Sequence, residues 1–540
     1  MTTQTLTELQ ILEPGISNIA PLTASSRNSH EPTTHSDLEP STGIAATEPA
    51  AGHILSKPRA IAVIAQLLGT IFFSSFCNGA IVVDLPSIST TLPLDPSLVV
   101  WPTSVYYLTA GSCLLLAGAT ADVVGTRRLN LLGCFLSAIF AVAFGLARTG
   151  GELIAFRALQ GVANAIVVPC SVSIVSRSVE AGRARNMGFA CLGFAAPVGF
   201  SLGLVLGGVL VDSVGWRPAF YLAGAASFVL FILGIWALPR DPSPRPGESV
   251  WKRLGSEVDW VGTILASGGL AIFSYALATL SADISNIHKA STIAMLIIGA
   301  LLIPIFIGWM HYQVKHGRTA LIPNSLWRSS VFTSVCVMVL LTTAVTNCME
   351  LYSSLFFQEV QHQSALGASI RIIPSLIAGA LTNLSMGIFV NRMPIMWTVL
   401  ISSTTSAIAP LLMALIRPAW PYWYDAFFAQ ILAPLSCDIL FTVGLLVISD
   451  VFPPHMQALS GAVFNTCAQL GTAIGLTLTS LIAASTTASA ASPNADKTSP
   501  AALMAGYRAV FWTMAAWMAA VCLVCVVGLR KVGAIGVKRD

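Results

Sequence analysis

The sequence of 540 residues has little charge: only 10% of its residues are Asp, Glu, Lys or Arg, whereas 55% are hydrophobic. A soluble globular domain carries about 25% charged residues. So few charges cannot cover a water-facing surface, and we expect most of the chain to face lipid or other apolar helices. The net charge of +4 is small, and we expect no nucleic-acid partner.

Recognisable catalytic and metal-binding motifs are also missing from the sequence. Eight histidines are present, but they form no HExxH motif and no paired histidine box of the kind that holds a metal. There is no GxxxxGK[ST] loop to bind ATP, and no motif brings together a nucleophile, a base and an orienting group. All 11 cysteines lie in apolar runs, where we interpret them as small reduced residues. We therefore expect no enzymatic activity, no metal and no bound cofactor.

Long apolar runs are what the sequence does contain. A helix needs about 20 apolar residues to cross a bilayer, and fourteen segments qualify, from 60–82 to 507–529. Residues 1–57 are rich in Ser, Thr, Pro and Glu, which is typical of a disordered tail. The sequence therefore predicts an all-α polytopic membrane protein with fourteen transmembrane helices.

Basic residues are unevenly distributed among the loops between these runs. If the N-terminus is placed in the cytoplasm, most lysines and arginines fall in inside loops, among them Arg127, Arg128, Arg183 and Arg185. Positive residues near helix ends favour the cytoplasmic side. Both termini are therefore expected to be cytoplasmic.

The sequence also repeats itself weakly. Three pairs of short segments recur in the same order and at similar separations: GWRPAF (215–220) with GYRAVF (506–511), GxxxD (118–122) with GxxxN (387–391), and GxxxG (199–203) with GxxxG (471–475). Together they indicate a duplicated six-helix unit. Repeated halves are how many secondary transporters build a central site.

This repeat predicts five regions along the chain. We expect a disordered cytoplasmic tail (1–57), a first six-helix half (58–240), a linker with two inserted helices (241–330), a second six-helix half (331–530) and a short cytoplasmic tail (531–540).

The turn after the second run combines an acid, two glycines and two arginines in the stretch GATADVVGTRR. These residues are Gly118, Asp122, Gly125, Arg127 and Arg128. We expect Gly118 to admit a close helix neighbour and Gly125 to adopt a positive φ. Asp122 is expected to pair with the arginines or to accept hydrogen bonds from a helix N-terminus. An ordinary positive-inside loop would explain only the arginines.

The same turn resembles the G-x-x-x-D-x-x-G-x-R-R pattern of the major facilitator superfamily, and the segment FRALQG resembles the family's R-x-x-Q-G motif at Arg157, Gln160 and Gly161. The segments WYDAFFAQILAPLSCDILFTV and SGAVFNTCAQLGTAIGL are similar to fungal members related to aminotriazole-resistance and toxin efflux pumps. The resemblance implies a fourteen-helix drug:proton antiporter. It implies that the turn acts as a conformational latch, and that Arg157 faces the central cavity and serves proton transfer.

The chain departs from that family pattern in its first helix. These antiporters usually carry an aspartate nine residues before a proline, and alignment on Pro86 places Cys77 at that position, followed by Asn78. Asp84 lies nearer the outer end of the helix. The departure bears more on proton antiport than on transport itself.

The fifth helix departs as well. The antiporter motif usually places prolines after two of its glycines, where this chain has Phe200 and Leu204. The motif's glycines remain, and they still predict a bend or close helix packing; they are Gly199, Gly203, Gly207 and Gly208.

Charged residues inside the membrane are costly and usually functional. We assign Arg157, Gln160, Asp438, Glu350 and Asp84 to proton coupling or the central cavity. The alternatives remain open: Arg157 could hold helices together by hydrogen bonds, and either carboxyl of Asp438 or Glu350 could be neutralised by a neighbouring helix.

Polar residues on apolar helices give a further set of candidates. Asn78, Asn465 and Gln469 could line the substrate pathway or bond neighbouring helices.

The leading hypothesis is a monomeric, proton-coupled exporter of small amphipathic compounds in a fungal plasma membrane, driven by the proton gradient. One alternative is an importer or facilitator for a nutrient or small ion. Another, from a different class, is a transport-dead sensor that signals through its 57-residue tail. A membrane enzyme is the least favoured reading.

Overall fold

A computed structural model describes residues 57–92, 98–178, 183–241, 253–255, 258–282, 288–318, 320–322, 324–389, 394–452, 454–490 and 499–530. The predicted tails at 1–56 and 531–540 lie outside this range. Within it the chain is helical and contains no β-strand.

The first half comprises six helices: α1 (Lys57–Thr91), α2 (Trp101–Val124), α3 (Thr126–Leu146), α4 (Gly150–Ser178), α5 (Arg183–Ser213) and α6 (Arg217–Ala237). Helix α1 packs along α5 and α6, while α4 packs against α2 and α3.

Two further helices follow: α7 (Trp260–Ala282) and α8 (Ala290–Lys315). They pack on each other, and α7 also contacts α2 and α13. Asp259 fixes the entry to α7 because its carboxylate accepts from the amide of Gly262 at 2.8 Å and from the indole of Trp309 at 3.0 Å. The hairpin is thus attached to one side of the molecule through α7.

The second half comprises six helical segments in membrane-spanning order: α9 (Ser330–Leu355), α10 (Ala365–Phe389), α11 (Ile395–Leu415), α12 (Ala426–Leu432, resuming at Leu435–Val451), α13 (Pro454–Ala490) and α14 (Pro500–Gly528). A π-helical turn, Phe356–Val360, extends α9. Helix α9 packs against α13 and α14, as α1 packs against α5 and α6.

Thirteen helices of the described residues are long and apolar enough to cross a membrane, and α7 adds a further helix that is apolar over Trp260–Phe273. The predicted all-α membrane fold is confirmed. Several helices are longer than the apolar runs alone suggested, since α1 continues to Thr91 and α14 begins at Pro500. Polar helix ends extend beyond the hydrocarbon core, and hydrophobicity does not mark them.

The two halves meet along two seams. Helix α2 packs against α13, and α5 packs against α10. Any space for a substrate between the halves is therefore framed by these two contacts.

Candidate functional site

Arg157 on α4 is fully buried at the centre of the first half. Its Nη1 donates to Oε1 of Gln160 at 2.6 Å, and its Nη2 donates to Oδ1 of Asn78 on α1 at 2.5 Å. Its Nε donates to the carbonyl of Pro102 on α2 at 3.2 Å, and its Cζ lies 4.4 Å from the ring centroid of Tyr106. The guanidinium therefore joins three helices, so that in this conformation it holds helices together.

The sequence did not identify the second layer of this network. The hydroxyls of Tyr106 and Ser74 are 2.8 Å apart, and Ser74 donates to Oδ1 of Asn164 at 3.2 Å. Cys77, the residue that alignment on Pro86 selected in the sequence, lies beside Arg157 and Gln160 and places a thiol there.

Two carboxyls of the second half lie near one another. Glu350 on α9 and Asp438 on α12 are both partly exposed and within electrostatic reach of each other. Asp438 follows the break in α12 and has a hydrogen bond with Asn383 of α10. Glu350 is also within electrostatic reach of Tyr107 on α2, in the other half. This pair, unlike Arg157, is partly exposed, and Glu350 lies within electrostatic reach of the other half.

Asp84 lies apart from both groups. It is fully buried on α1, and neither of its carboxylate oxygens has a hydrogen-bond partner. A Cβ placed on Gly207 of α5 would lie 3.3 Å from its Oδ1. The carboxyl thus occupies space beside a residue that lacks a side chain.

Close to Asp84, the two halves bond to each other at the end that the charge pattern predicts to be outside. Oγ of Ser354 donates to the carbonyl of Val82 at 3.1 Å, and Nε2 of Gln358 donates to that of Val83 at 3.2 Å. Pro86 has no N–H for the carbonyl four residues earlier, which is that of Val82. The proline thereby leaves the carbonyl of Val82 without a helical donor, and Ser354 of α9 donates to it.

Helices α5 and α10 bond at the same end. Oδ1 of Asp212 accepts from the amide of Ala365 at 3.2 Å, and its Oδ2 accepts from Leu366 at 3.1 Å, at the N-terminus of α10. Ser369 donates to the carbonyl of Leu204 at 2.7 Å. We call this set the outer gate: the Ser354 and Gln358 bonds to α1 and the Asp212 and Ser369 bonds between α5 and α10.

The helix-five glycines lie against other backbones, as close packing requires. A Cβ on Gly199 would lie 3.0 Å from Cα of Phe72, and one on Gly203 would lie 2.9 Å from Cα of Phe76. Gly207 meets Ala80 in the same way. Gly208 faces α10, where a Cβ would lie 2.9 Å from Cα of Leu366. Three of the four glycines therefore serve the α1–α5 contact, and the fourth serves the contact between halves.

In the α2–α3 turn, Gly125 has φ 111°, as predicted. A carboxylate outside the motif holds this turn: Oδ1 of Asp241 accepts from the amide of Arg127 at 3.0 Å, and its Oδ2 accepts from that of Arg128 at 3.3 Å. Nη2 of Arg127 donates to the carbonyl of Ile235 at 2.6 Å. The turn is thus tied to the end of α6.

The two other motif residues contribute less to these contacts. The side chain of Asp122 lies outside the described residues. A Cβ on Gly118 would come no closer than 3.9 Å to Cβ of Pro169, an ordinary contact distance. The close helix approach expected at Gly118 is therefore absent, and a side chain there would have room.

The remaining polar candidates have different surroundings. Nδ2 of Asn465 donates to the carbonyl of Gly461 on its own helix at 3.0 Å. Gln469 lies on the α2–α13 seam. A Cβ placed on Gly111 of α2 would lie 3.0 Å from the Cβ of Gln469. The structure thus groups Asn78 with Arg157 and does not group Asn465 with it.

Comparison with known proteins decides the family. The family model described as the Major Facilitator Superfamily matches residues 67–476. The chain belongs to the Major Facilitator Superfamily. It is 38% identical to MFS-type transporter 1 of Pyricularia oryzae over 89% of this chain and 85% of that protein. It is therefore a multi-pass membrane transporter that acts on a small-molecule substrate.

Two further relatives in the superfamily have more specific names. The low affinity ammonium transporter of Saccharomyces cerevisiae is 27% identical over 70% of this chain and 72% of its own. The efflux pump terJ of Aspergillus terreus is 26% identical over 70% of this chain and 71% of its own. The predicted resemblance to fungal efflux proteins of this superfamily is confirmed.

A solved structure supports the fold independently of sequence. A bacterial homologue of the human lysosomal transporter Spinster, in an inward-facing and occupied conformation, matches with a TM-score of 0.60 at 14% identity. The match covers 88% of this chain and 98% of that one.

Proposed function

We propose that this transporter exports small amphipathic organic compounds in exchange for protons, by alternating access. The observation that carries the proposal is the pair Glu350 and Asp438, two partly exposed carboxyls within reach of each other between the halves. A carboxyl at membrane depth is costly unless it binds a proton or a cation. The names of the efflux relatives support export as the direction.

In this mechanism, protonation of the pair and binding of substrate compete for the same charges. Two neighbouring carboxylates repel each other, so the pair binds a proton or a cationic group readily. Protons entering from outside would displace a cationic substrate, and the cycle would follow the proton gradient without a bound cofactor. Arg157 accordingly would fix the geometry of the first half, where it is hydrogen-bonded to Asn78 and Gln160.

The proposal also includes where the transporter works. The concentration of basic residues in alternate loops favours cytoplasmic termini. The plasma membrane and a monomeric state are parts of the same proposal, since each half already supplies one side of the central space.

The experiment is efflux from a pump-deleted yeast that expresses the full chain. A panel of fluorescent cationic dyes and toxic metabolites is followed with and without a protonophore. We expect loss of at least one compound from the cells, and we expect the protonophore to stop it.

Matched variants then test the carboxyl pair. Glu350→Gln and Asp438→Asn should abolish protonophore-sensitive efflux at unchanged surface expression, while Glu152→Gln, on the exposed outer turn, should leave it intact. Full protonophore-sensitive efflux in both carboxyl variants would contradict the proposal.

A second function deserves its own test because one relative is named an ammonium transporter. The same two carboxyls could bind a small monovalent cation instead of an organic one. Uptake of labelled methylammonium by cells that lack their own ammonium transporters separates the two. Uptake that depends on Asp438, together with no efflux of any dye, would favour the small-cation reading.

A further inference from the structure

Asp84 differs from the other charged side chains that the structure describes on the helices packed around it. Glu350 is partly exposed, with Asp438 within electrostatic reach. The following charged side chains make hydrogen bonds: Arg157 (Asn78), Asp212 (Ala365 and Leu366), Arg217 (Ala147), Glu359 (Tyr507) and Arg371 (Gly367). Asp84 has none, although it is fully buried. On its own helix the nearest titratable group is Cys77, two turns away.

The position of Asp84 relates it to the outer gate. It directly follows Val82 and Val83, the two carbonyls that Ser354 and Gln358 bind from the second half. Gly207 beside it precedes Gly208, which meets α10. Asp84 is therefore buried against α5, next along the chain to the two carbonyls that the outer gate binds from α9.

Asp84 also lies on the same face of α1 as Cys77, the residue beside Arg157. Residues seven apart in an α-helix share a face and lie about 10 Å apart along the axis. Asp84 is seven residues beyond Cys77, toward the gate. This face of α1 thus has a thiol beside Arg157 and a carboxyl further out.

We propose that Asp84 is the protonation switch of the outer gate, so that the gate closes over the neutral carboxyl and opens when the carboxyl ionises. The physical reason is that a buried, unpaired carboxylate is far more costly than a buried neutral carboxyl. Opening the gate admits water, which solvates the charge. A higher external pH therefore favours the open gate, and a lower pH favours closure.

This inference rests on the proposed proton coupling and assigns the outer step of it to one residue. It needs no substrate for its test. The probe is a charged, membrane-impermeant maleimide added outside cells, with a cysteine at position 82 as reporter. Val82 is buried in the closed gate and its side chain makes no hydrogen bond, so Val82→Cys keeps the gate contacts.

The reference is Val214→Cys, in the exposed turn between α5 and α6, which reports the intrinsic pH dependence of the reagent. The parent chain gives the background from native cysteines. The ratio of the two labelling rates should rise with external pH over about pH 5–8, by at most about tenfold per unit, the limit for a single titrating group.

Substitutions at Asp84 decide the outcome. Asp84→Asn in the reporter chain should give a low, flat ratio, and Asp84→Glu should retain a slope. Ser354→Ala, which removes one gate bond and keeps the carboxyl, should raise the ratio at every pH and retain the slope. If Asp84→Asn does not reach the surface, Asp84→Ala serves as the neutral variant.

Two results would overturn the inference: a flat ratio in the reporter chain, or an unchanged slope in the neutral variants. These results are distinguishable from failure of the proposed function. A slope that depends on Asp84 without any efflux would reject the export proposal alone. Protonophore-sensitive efflux with a flat ratio would reject the switch alone.

Discussion

The two six-helix halves support themselves with the same contacts. In the first, Nη2 of Arg217 on α6 donates to the carbonyl of Ala147, just beyond the end of α3, at 3.1 Å. In the second, Nη2 of Arg508 on α14 donates to the carbonyl of Ile416, just beyond the end of α11, at 3.0 Å. Both arginines belong to the repeated GWRPAF and GYRAVF segments, so the repeat in sequence is a repeat in structure.

The glycine pairs repeat in the same way. A Cβ on Gly203 would lie 2.9 Å from Cα of Phe76 on α1, and one on Gly471 would lie 2.7 Å from Cα of Leu340 on α9. In each half the first helix therefore packs against the fifth through backbone contact. Duplication preserved the scaffold.

The chemistry at the centre of each half differs. The first half encloses a cation, Arg157, whose three hydrogen bonds all go to neutral groups. The second half has two carboxyls, Glu350 and Asp438, that remain partly exposed. The difference teaches that one half encloses its central charge in a hydrogen-bonded network, whereas the other leaves its central charges partly exposed.

The outer ends of the halves differ too. Nε1 of Trp216 donates to the exposed hydroxyl of Thr91 at 3.0 Å in the first half. At the corresponding place in the second half, the hydroxyl of Tyr507 donates to the carboxylate of Glu359. A charged acceptor in the second half thus replaces a neutral one in the first.

The largest expected effect is from Arg157→Ala, which would remove the hydrogen-bonded network of the first half. It leaves the acceptors of Asn78, Gln160 and Pro102 without a donor, and we expect a loss of about 3 kcal/mol or more in the free energy of unfolding. Transport should be lost as well. Thermal unfolding in detergent measures the first effect and dye efflux the second.

The control for that substitution is Arg148→Ala, an exposed arginine at the outer end of α3, which should change little. Arg157→Lys should recover only part of the stability, because an ammonium cannot reproduce the guanidinium's fixed set of donors. Wild-type stability in Arg157→Ala would show that the network does not hold the half together.

The next effect tests whether the two scaffolds are equivalent. Gly203→Ala and Gly471→Ala both force a methyl group against the backbone of the facing helix, and each should lower stability by about 1–3 kcal/mol. Gly461→Ala, on the same helix as Gly471 with nothing within 4 Å of its Cβ position, should be neutral or stabilising by up to about 1 kcal/mol. Thermal unfolding of the three proteins side by side measures this. A large loss at only one of the two packed glycines would break the equivalence.

A comparable effect should separate the outer ends. Tyr507→Phe removes the hydroxyl that donates to the partly buried carboxylate of Glu359, and we expect a loss of about 1.5–3 kcal/mol, the range for hydrogen bonds to charged groups. Thr91→Val should cost less, about 0.5–1.5 kcal/mol, the range for a hydrogen bond between neutral groups. Equal losses in thermal unfolding experiments would remove the contrast between a charged and a neutral acceptor.

The smallest effect is expected in the α2–α3 turn of the first half. Gly118→Ala should be neutral or slightly stabilising, since its Cβ would have room. Gly125→Ala should lower stability by about 1–2 kcal/mol, because an alanine is strained at φ 111°. A larger loss at Gly118 than at Gly125 in thermal unfolding would reverse the roles that the structure assigns to them.

Much of the fold could be predicted from local sequence signals. Apolar runs of membrane length predicted the helices, and short repeated segments predicted the two halves. The positive φ of Gly125 followed from a glycine in a tight turn. Helix ends were less accurate, as at α1, because polar residues continue a helix beyond the apolar run.

The candidate site was predicted in composition but not in arrangement. The sequence selected Arg157 and Gln160 through one motif and Asn78 separately, and the structure joins all three by hydrogen bonds. It expected Asp122 to pair with the arginines of the α2–α3 turn or to accept from a helix N-terminus, and it did not identify Asp241, which accepts from the amides of Arg127 and Arg128. Asp241 follows α6 and carries no local signal of that contact.

The sequence by itself determined the class of protein, the succession of apolar helices and the short repeated segments, because hydrophobic length and short repeats are properties of neighbouring residues. The tertiary structure alone decided which charged groups have partners. Asn78 lies 79 residues from Arg157, and Gln358 lies 275 residues from Val83. Only the packing of the helices brings such groups within hydrogen-bonding distance. The same packing leaves Asp84 buried without a hydrogen-bond partner.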